Sequence, residues 1–123
     1  MAGAMKAVLC VVFALIVTAF ASAAPRAGLA SWYGESHRGK LMANGERFDP
    51  SKMTAASWSY PLGARVRVRL KDPDRSVIVT ITDRGPARSL VREGRIIDLA
   101  QAAFEHLARS SVGLVAVTVE PVR

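Results

Sequence analysis

Ala64-Arg65-Val66-Arg67-Val68-Arg69-Leu70 and Ser76-Val77-Ile78-Val79-Thr80-Ile81-Thr82 are two alternating runs joined by Lys71-Asp72-Pro73-Asp74-Arg75. In the first, Val66, Val68 and Leu70 alternate with Arg65, Arg67 and Arg69, which predicts a strand with one buried face and one solvated basic face. In the second, Val77, Val79 and Ile81 alternate with Ile78, Thr80 and Thr82, as in a strand buried mainly on one side. The connection is made of turn formers, so the two runs are expected to pair as a hairpin.

The second run breaks off at Asp83-Arg84-Gly85-Pro86. Gly85-Pro86 turns the chain and leaves Asp83 at a strand end, beside a loop that can shape a cleft, a sound position for general acid-base work. The plainer reading is that Asp83 accepts hydrogen bonds from the turn backbone and that Arg84 pairs with it or with water. The choice depends on the rest of the chain.

Toward the N-terminus, Pro61-Leu62-Gly63 marks a turn, and Glu35 to Asp49 is polar, glycine-rich and without a period, which predicts a long loop. Within it Asn44-Gly45 makes a tight turn that aims Glu46 outward as a second candidate carboxylate, although exposed loop glutamates are commonly only solvated. His37 has no second histidine or cysteine at metal-ligand spacing. Gly28 to Tyr33 predicts a first strand. Its adjacent aromatics face opposite ways, so Trp32 is expected in the core, and Tyr33 lines a groove where a ring suits a sugar face.

Toward the C-terminus, Ala87 to Gly94 reads as a charged loop and Arg95-Ile96-Ile97 as a short strand. Asp98 followed by Gln101 resembles a helix capping pair, and Leu99, Ala102, Ala103, Phe104 and Leu107 supply a helical apolar stripe. On that reading Asp98 is structural, and Asp98→Ala costs roughly 1 kcal/mol of cap energy. His106 is a surface residue of this helix. Gly113 to Val122 alternates around Val115, Val117 and Val119 and predicts a final strand, limited by Pro121 to an edge or an end. There is no internal repeat and no low-complexity segment.

The chain has 123 residues, and its beginning reads as an export signal. Lys6 precedes an apolar run from Ala7 to Phe20, and Ala21-Ser22-Ala23 offers a cleavage site after Ala23. Cys10 lies inside that signal without the small residues that precede a lipidated cysteine, so no lipid anchor and no stable membrane insertion are expected. Residues 24–123 then form one cysteine-free domain that stands on its core alone. Removing Lys6 leaves 16 basic against 10 acidic residues. In a cytoplasmic protein such a charge would suggest nucleic acid. An exported chain meets cell-wall polymers and anionic envelope surfaces first, and nucleic acid is not expected as a partner.

Six segments, in this order, carry a resemblance: Gly28-Leu29-Ala30-Ser31-Trp32-Tyr33-Gly34, Ala43-Asn44-Gly45-Glu46-Arg47-Phe48-Asp49, Thr54-Ala55-Ala56, Pro61-Leu62-Gly63, Asp83-Arg84-Gly85-Pro86 and Gly94-Arg95-Ile96-Ile97-Asp98-Leu99. Together they resemble the rare lipoprotein A family over nearly the whole of 24–123. The resemblance implies a mainly β fold, a six-stranded double-psi β-barrel with one short helix, shared with expansins and some endoglucanases. It also implies a septal peptidoglycan lytic transglycosylase that prefers glycan strands stripped of stem peptides, works as a monomer and needs no cofactor or metal. Position by position, the family's acid-base aspartate matches Asp83 and its second functional carboxylate matches Glu46.

The implied reaction cleaves the bond between N-acetylmuramic acid and N-acetylglucosamine without water. Its start requires a carboxylic acid that still holds its proton near neutral pH, and Asp83 is the expected one, with Arg84 turned away from it. Tyr33 and Trp58 are expected to stack on sugars, Asn44 to meet an acetamido group, and Ser57 and Arg84 to line the substrate site. Three departures from the family stand out. Ser57 replaces a histidine of many members, and neither a lipoprotein cysteine nor a glycan-binding targeting domain after the barrel is expected. The rival expectation is an expansin-like module that grips glycan without turnover.

Overall fold

The computed structural model describes residues 24–123; the expected signal, residues 1–23, lies outside the described residues. Six strands, β1 (Arg26–Tyr33), β2 (Thr54–Ala56), β3 (Arg65–Leu70), β4 (Arg75–Asp83), β5 (Arg95–Ala100) and β6 (Val115–Pro121), close into a barrel in the order β1-β5-β2-β4-β3-β6. The hairpin of β3 and β4 runs in the expected register, from Arg65 opposite Thr80 to Leu70 opposite Arg75. β6 is antiparallel to both β1 and β3 and so closes the barrel, which leaves β6 no free edge. Two pairs are parallel, β1 with β5 and β2 with β4. Among the described residues no helix is long and apolar enough to cross a membrane.

The alternation read from the sequence fills the barrel. Val66, Val68, Val77, Val79, Ile81, Ile97, Leu99, Val117 and Val119 point inward, joined by Ala30, Phe104 and Leu107. Each large side chain fully buried there contributes about 1.5–3 kcal/mol by removal from water. Gly28 is required by this packing, because a Cβ at that position would stand 2.6 Å from Cγ2 of Ile96 on the neighbouring strand.

Two expectations for the C-terminal half need correction. Residues 87–94 are not all loop, since Arg88–Arg92 form a short helix, α1, so the barrel carries two short helices and not one. Nor does Asp98 cap a helix. β5 continues through Asp98 to Ala100, and the second helix, α2, begins only at Gln101 and ends at Glu105, without any side-chain cap bond. The residues between Ile97 and Phe104 satisfy both periods, and pairing of β5 with β1 and β2 decides for the strand, as tertiary context commonly does over local propensity.

The long loop between β1 and β2 is anchored outside the barrel by a second, smaller cluster. Met42, Phe48 and Ala100 are buried together, with Tyr33 packed against them. Inside this loop Leu41 bridges Arg47 across the Asn44-Gly45 turn, where Gly45 adopts a φ of 88°, a conformation that favours glycine. A small hairpin therefore projects from the loop, with Glu46 exposed near its tip.

Candidate active site

Register brings two carboxylates onto one outer face of the barrel. Ser31 on β1 pairs with Asp98 on β5, Asp98 with Ala56 on β2, and Ala56 with Asp83 on β4. Ala30, Ile97, Leu99 and Ala55, chain neighbours of Ser31, Asp98 and Ala56, point into the core, so those three face out, and Asp83 joins them as the partner of Ala56. Asp83 and Asp98 are two strand spacings apart, roughly 10 Å between Cα atoms, with only the methyl group of Ala56 between them. Ala56 fits Asp83 because a register irregularity between Ala55 and Ala56 skips Thr82, which is buried.

The two carboxylates are held differently. Asp83 is half-buried, and its Oδ1 accepts the backbone N–H groups of Ala43 at 3.0 Å and Arg84 at 2.8 Å, while its Oδ2 takes no bond among the described residues. Asp98 is likewise half-buried, and Ser31 Oγ donates to its Oδ1 at 3.2 Å. Burial pushes the Asp98 carboxyl up to about 6; the Ser31 hydroxyl and the charge of Arg95 oppose that rise, and the charge of Asp83 adds to it. The carboxyl held protonated above the ordinary range is therefore Asp98, a residue the sequence had assigned to a helix cap.

The Glu46 hairpin is clipped over the end of β4. Besides the Ala43 bond to Asp83, the N–H of Asn44 donates to the carbonyl of Thr82 at 3.1 Å, and Thr82 Oγ1 donates to Met42 Sδ at 3.3 Å. Asn44 Oδ1 accepts the N–H of Glu46 at 2.9 Å and shapes the turn. The Glu46 carboxylate is exposed, with no hydrogen bond or ion pair among the described residues.

Tyr33 does not present a free ring. It stacks on Phe48, with centroids 4.2 Å apart, and meets the edge of His37 at 5.7 Å. Its hydroxyl is buried without a hydrogen-bond partner among the described residues. Burial first, and then the charges of Asp83 and Asp98, push this phenol well above its usual range. Its polar end thus lies within the field of the two carboxylates, and its ring is already stacked on Phe48. Trp32 is packed against the core as expected, and its Nε1 donates to the carbonyl of Ser110 at 2.8 Å.

The segment after β2 forms the other side. The N–H of Ser57 donates to the carbonyl of Asp83 at 3.1 Å. Ser57 is fully buried and its Oγ accepts the N–H of Ser59 at 3.0 Å, so the hydroxyl shapes a turn and is out of reach of a sugar, contrary to expectation. Arg84 does turn away from the Asp83 carboxylate. Its Nη1 donates to the carbonyls of Ser57 at 2.8 Å and Tyr60 at 2.6 Å, which makes it a brace for residues 57–60 and not a free substrate ligand. Trp58 remains 41% exposed, with Nε1 bonded to the carbonyl of Pro86 at 2.7 Å and the Arg88 guanidinium 3.9 Å above its ring.

A metal does not suggest itself here. Among the described residues no group of three or more histidine, cysteine or acidic side chains is placed to hold one. What the arrangement offers is a pair of half-buried carboxylates in one row, with the exposed Glu46 on the hairpin clipped to the end of β4.

Comparison with known proteins bears on the family and the fold. The family model described as lytic transglycolase matches residues 25–119, and the chain belongs to that family. The endolytic peptidoglycan transglycosylase RlpA of Pseudomonas aeruginosa PAO1 is 45% identical over 93 residues, covering 76% of this chain and 26% of that protein. The protein of the same name from Rickettsia felis is 42% identical over 96 residues, covering 76% of this chain and 40% of that one. This chain therefore spans well under half the length of those relatives. Among solved structures, a Streptomyces papain inhibitor has a TM-score of 0.63 at 28% identity, covering 81% of this chain and 96% of that one. A Clavibacter michiganensis expansin in complex with cellohexaose has the same TM-score at 18% identity, covering 81% and 51%, and shares the fold, a double-psi β-barrel.

Proposed function

We propose that this domain is an exported peptidoglycan lytic transglycosylase, in which Asp83 and Asp98 act as one acid-base unit. The observation that carries the reading is the register row: two carboxylates share an outer face with only Ala56 between them, and one holds its proton to about 6. Asp83, half-buried with Oδ2 free among the described residues, meets the glycosidic oxygen. Asp98, across Ala56 in the same row, holds its proton to about 6 and supplies it as the bond breaks.

In the reaction, the proton passes from the pair to the leaving oxygen of N-acetylglucosamine as its bond to C1 of N-acetylmuramic acid lengthens toward an oxocarbenium-like state. The C6 hydroxyl of the same muramic ring then forms the new bond to C1 and returns its proton to the pair. A 1,6-anhydro end results, and because the nucleophile is already attached to the reacting ring, no water has to be positioned. Glu46, on the hairpin above Asp83, faces the positive charge that develops on the ring. The Asn44 side-chain amide group and the exposed part of Trp58 lie toward the sugars. Ser57 and Arg84 act through the loop they hold.

The export signal read in residues 1–23 supports a location beyond the inner membrane, where peptidoglycan is. Sequence relatives named as peptidoglycan transglycosylases support the substrate class. An expansin-like module is the second reading, favoured by the fold shared with expansin and by Ser57 in place of histidine. Incubation with amidase-stripped glycan separates the two. The proposal expects soluble anhydro-ended products from the parent protein and none from Asp83→Asn. Binding of the same glycan without release by the parent would establish the module instead.

A further inference from the structure

Arg88 has no part in the acid-base reading, yet it is exposed and stands five residues after Asp83, at the start of α1. Its guanidinium lies 3.9 Å over the Trp58 ring and enters no ion pair among the described residues. Trp58 is itself fixed, through Nε1 to the carbonyl of Pro86 at 2.7 Å, and its segment is held on either side, at Ser57 and Tyr60, whose carbonyls accept from Arg84. A planar cation stacked on a braced ring has already lost much of its rotamer freedom, so a bidentate anion meets a prepared fork. The segment that carries it leaves β4 directly after Asp83.

We propose that Arg88 and Trp58 form a subsite for a sugar that bears a carboxylate, with the exposed part of the ring against the sugar and the guanidinium on the carboxylate. This rests on the peptidoglycan reading and narrows it. The muramic acid ring carries a lactyl carboxyl group, which is a free carboxylate in a stripped strand and an uncharged amide wherever a stem peptide is attached. An arginine fork recognises the first and gains no charge-assisted bond from the second. The subsite therefore selects stripped strands by a charge that peptide attachment removes. A carboxylate of the stem peptide itself is the other source of the same chemistry, and peptide-bearing strands distinguish it.

The test measures binding in an Asp83→Asn background, so that turnover does not consume the ligand. Affinities of Asp83→Asn and Asp83→Asn/Arg88→Gln are compared for stripped glycan, peptide-bearing glycan and a chitooligosaccharide of equal length, which lacks any carboxylate. The double variant should lose roughly ten-fold in affinity for stripped glycan and fall to the level of the chitooligosaccharide, as expected for a lost charge-assisted fork. Unchanged affinity for stripped glycan would overturn the subsite, and so would an equal loss on the chitooligosaccharide or on peptide-bearing glycan. Anhydro products from the parent protein together with any of those results would leave the transglycosylase reading standing and remove only the subsite. A selective loss in binding without anhydro products would do the reverse.

Discussion

At the scale of single residues, burial of the Asp98 carboxyl sets a dependence of stability on pH. In the folded state that carboxyl titrates at about 6, above the ordinary value of an unfolded aspartate. Between the two values the folded protein keeps a proton that the unfolded chain releases. Stability therefore falls as pH rises through that window, and above it the loss is on the order of 2 kcal/mol. Asp98→Asn removes the buried charge, so we expect its Tm to exceed the parent's by several degrees at about pH 8 and to match it at about pH 4. Thermal melts at the two pH values check this, and a variant less stable at both would show instead that the carboxylate's bond to Ser31 outweighs its burial. Tyr33 offers a second case. Its buried hydroxyl lacks a partner among the described residues, so Tyr33→Phe should leave stability unchanged or raise it by about 1 kcal/mol, measured by urea unfolding. Loss of turnover in the same variant would place that hydroxyl in the reaction.

At the scale of elements, legibility followed the strength of the period. The β3–β4 hairpin was plain because two strict alternations flank an obvious turn, and Asp83 was found because it ends one of them. β2 has only the three residues Thr54–Ala56, too few for any period to register. β5 was cut short and Asp98 misplaced because Ile97, Leu99, Ala103, Phe104 and Leu107 suit a helix as well as a strand followed by a helix. The alternation of Ile97, Asp98 and Leu99 was the available signal, and it was outweighed by the Asp-to-Gln cap spacing. Ser57 and Arg84 were assigned to the substrate because a sequence cannot show that a side chain is already bonded within its own loop. The brace gives a prediction of its own: Arg84→Met removes two carbonyl bonds from residues 57–60, and should cost about 2 kcal/mol in chemical denaturation while weakening glycan binding. Gly28→Ala belongs to this scale too. The added methyl would press into Ile96 between β1 and β5, with an expected cost of 1–3 kcal/mol, estimated from the usual range for overpacking.

At the scale of the whole molecule, the barrel is held by pairings between distant parts of the chain. β1 pairs with β5 and β6, so the first strand finds no partner until nearly all the chain is present. A chain cut before Val115 loses β6 and leaves β1 and β3 with open edges, and we expect it to be unfolded or aggregated by circular dichroism and sedimentation. Surface charge adds little to this. The three ion pairs among the described residues involve largely exposed groups, whose contributions are typically small. What the closed barrel contributes to function is rigidity, since β5, β2 and β4 hold Asp98, Ala56 and Asp83 in one row, with the Glu46 hairpin fastened above. The central claim is that this row breaks a glycosidic bond without using water. Digestion of stripped glycan in ¹⁸O-labelled water, with mass spectrometry of the new chain ends, tests it most directly. The account predicts 1,6-anhydro ends that carry no label, and labelled reducing ends would show a hydrolase and contradict it.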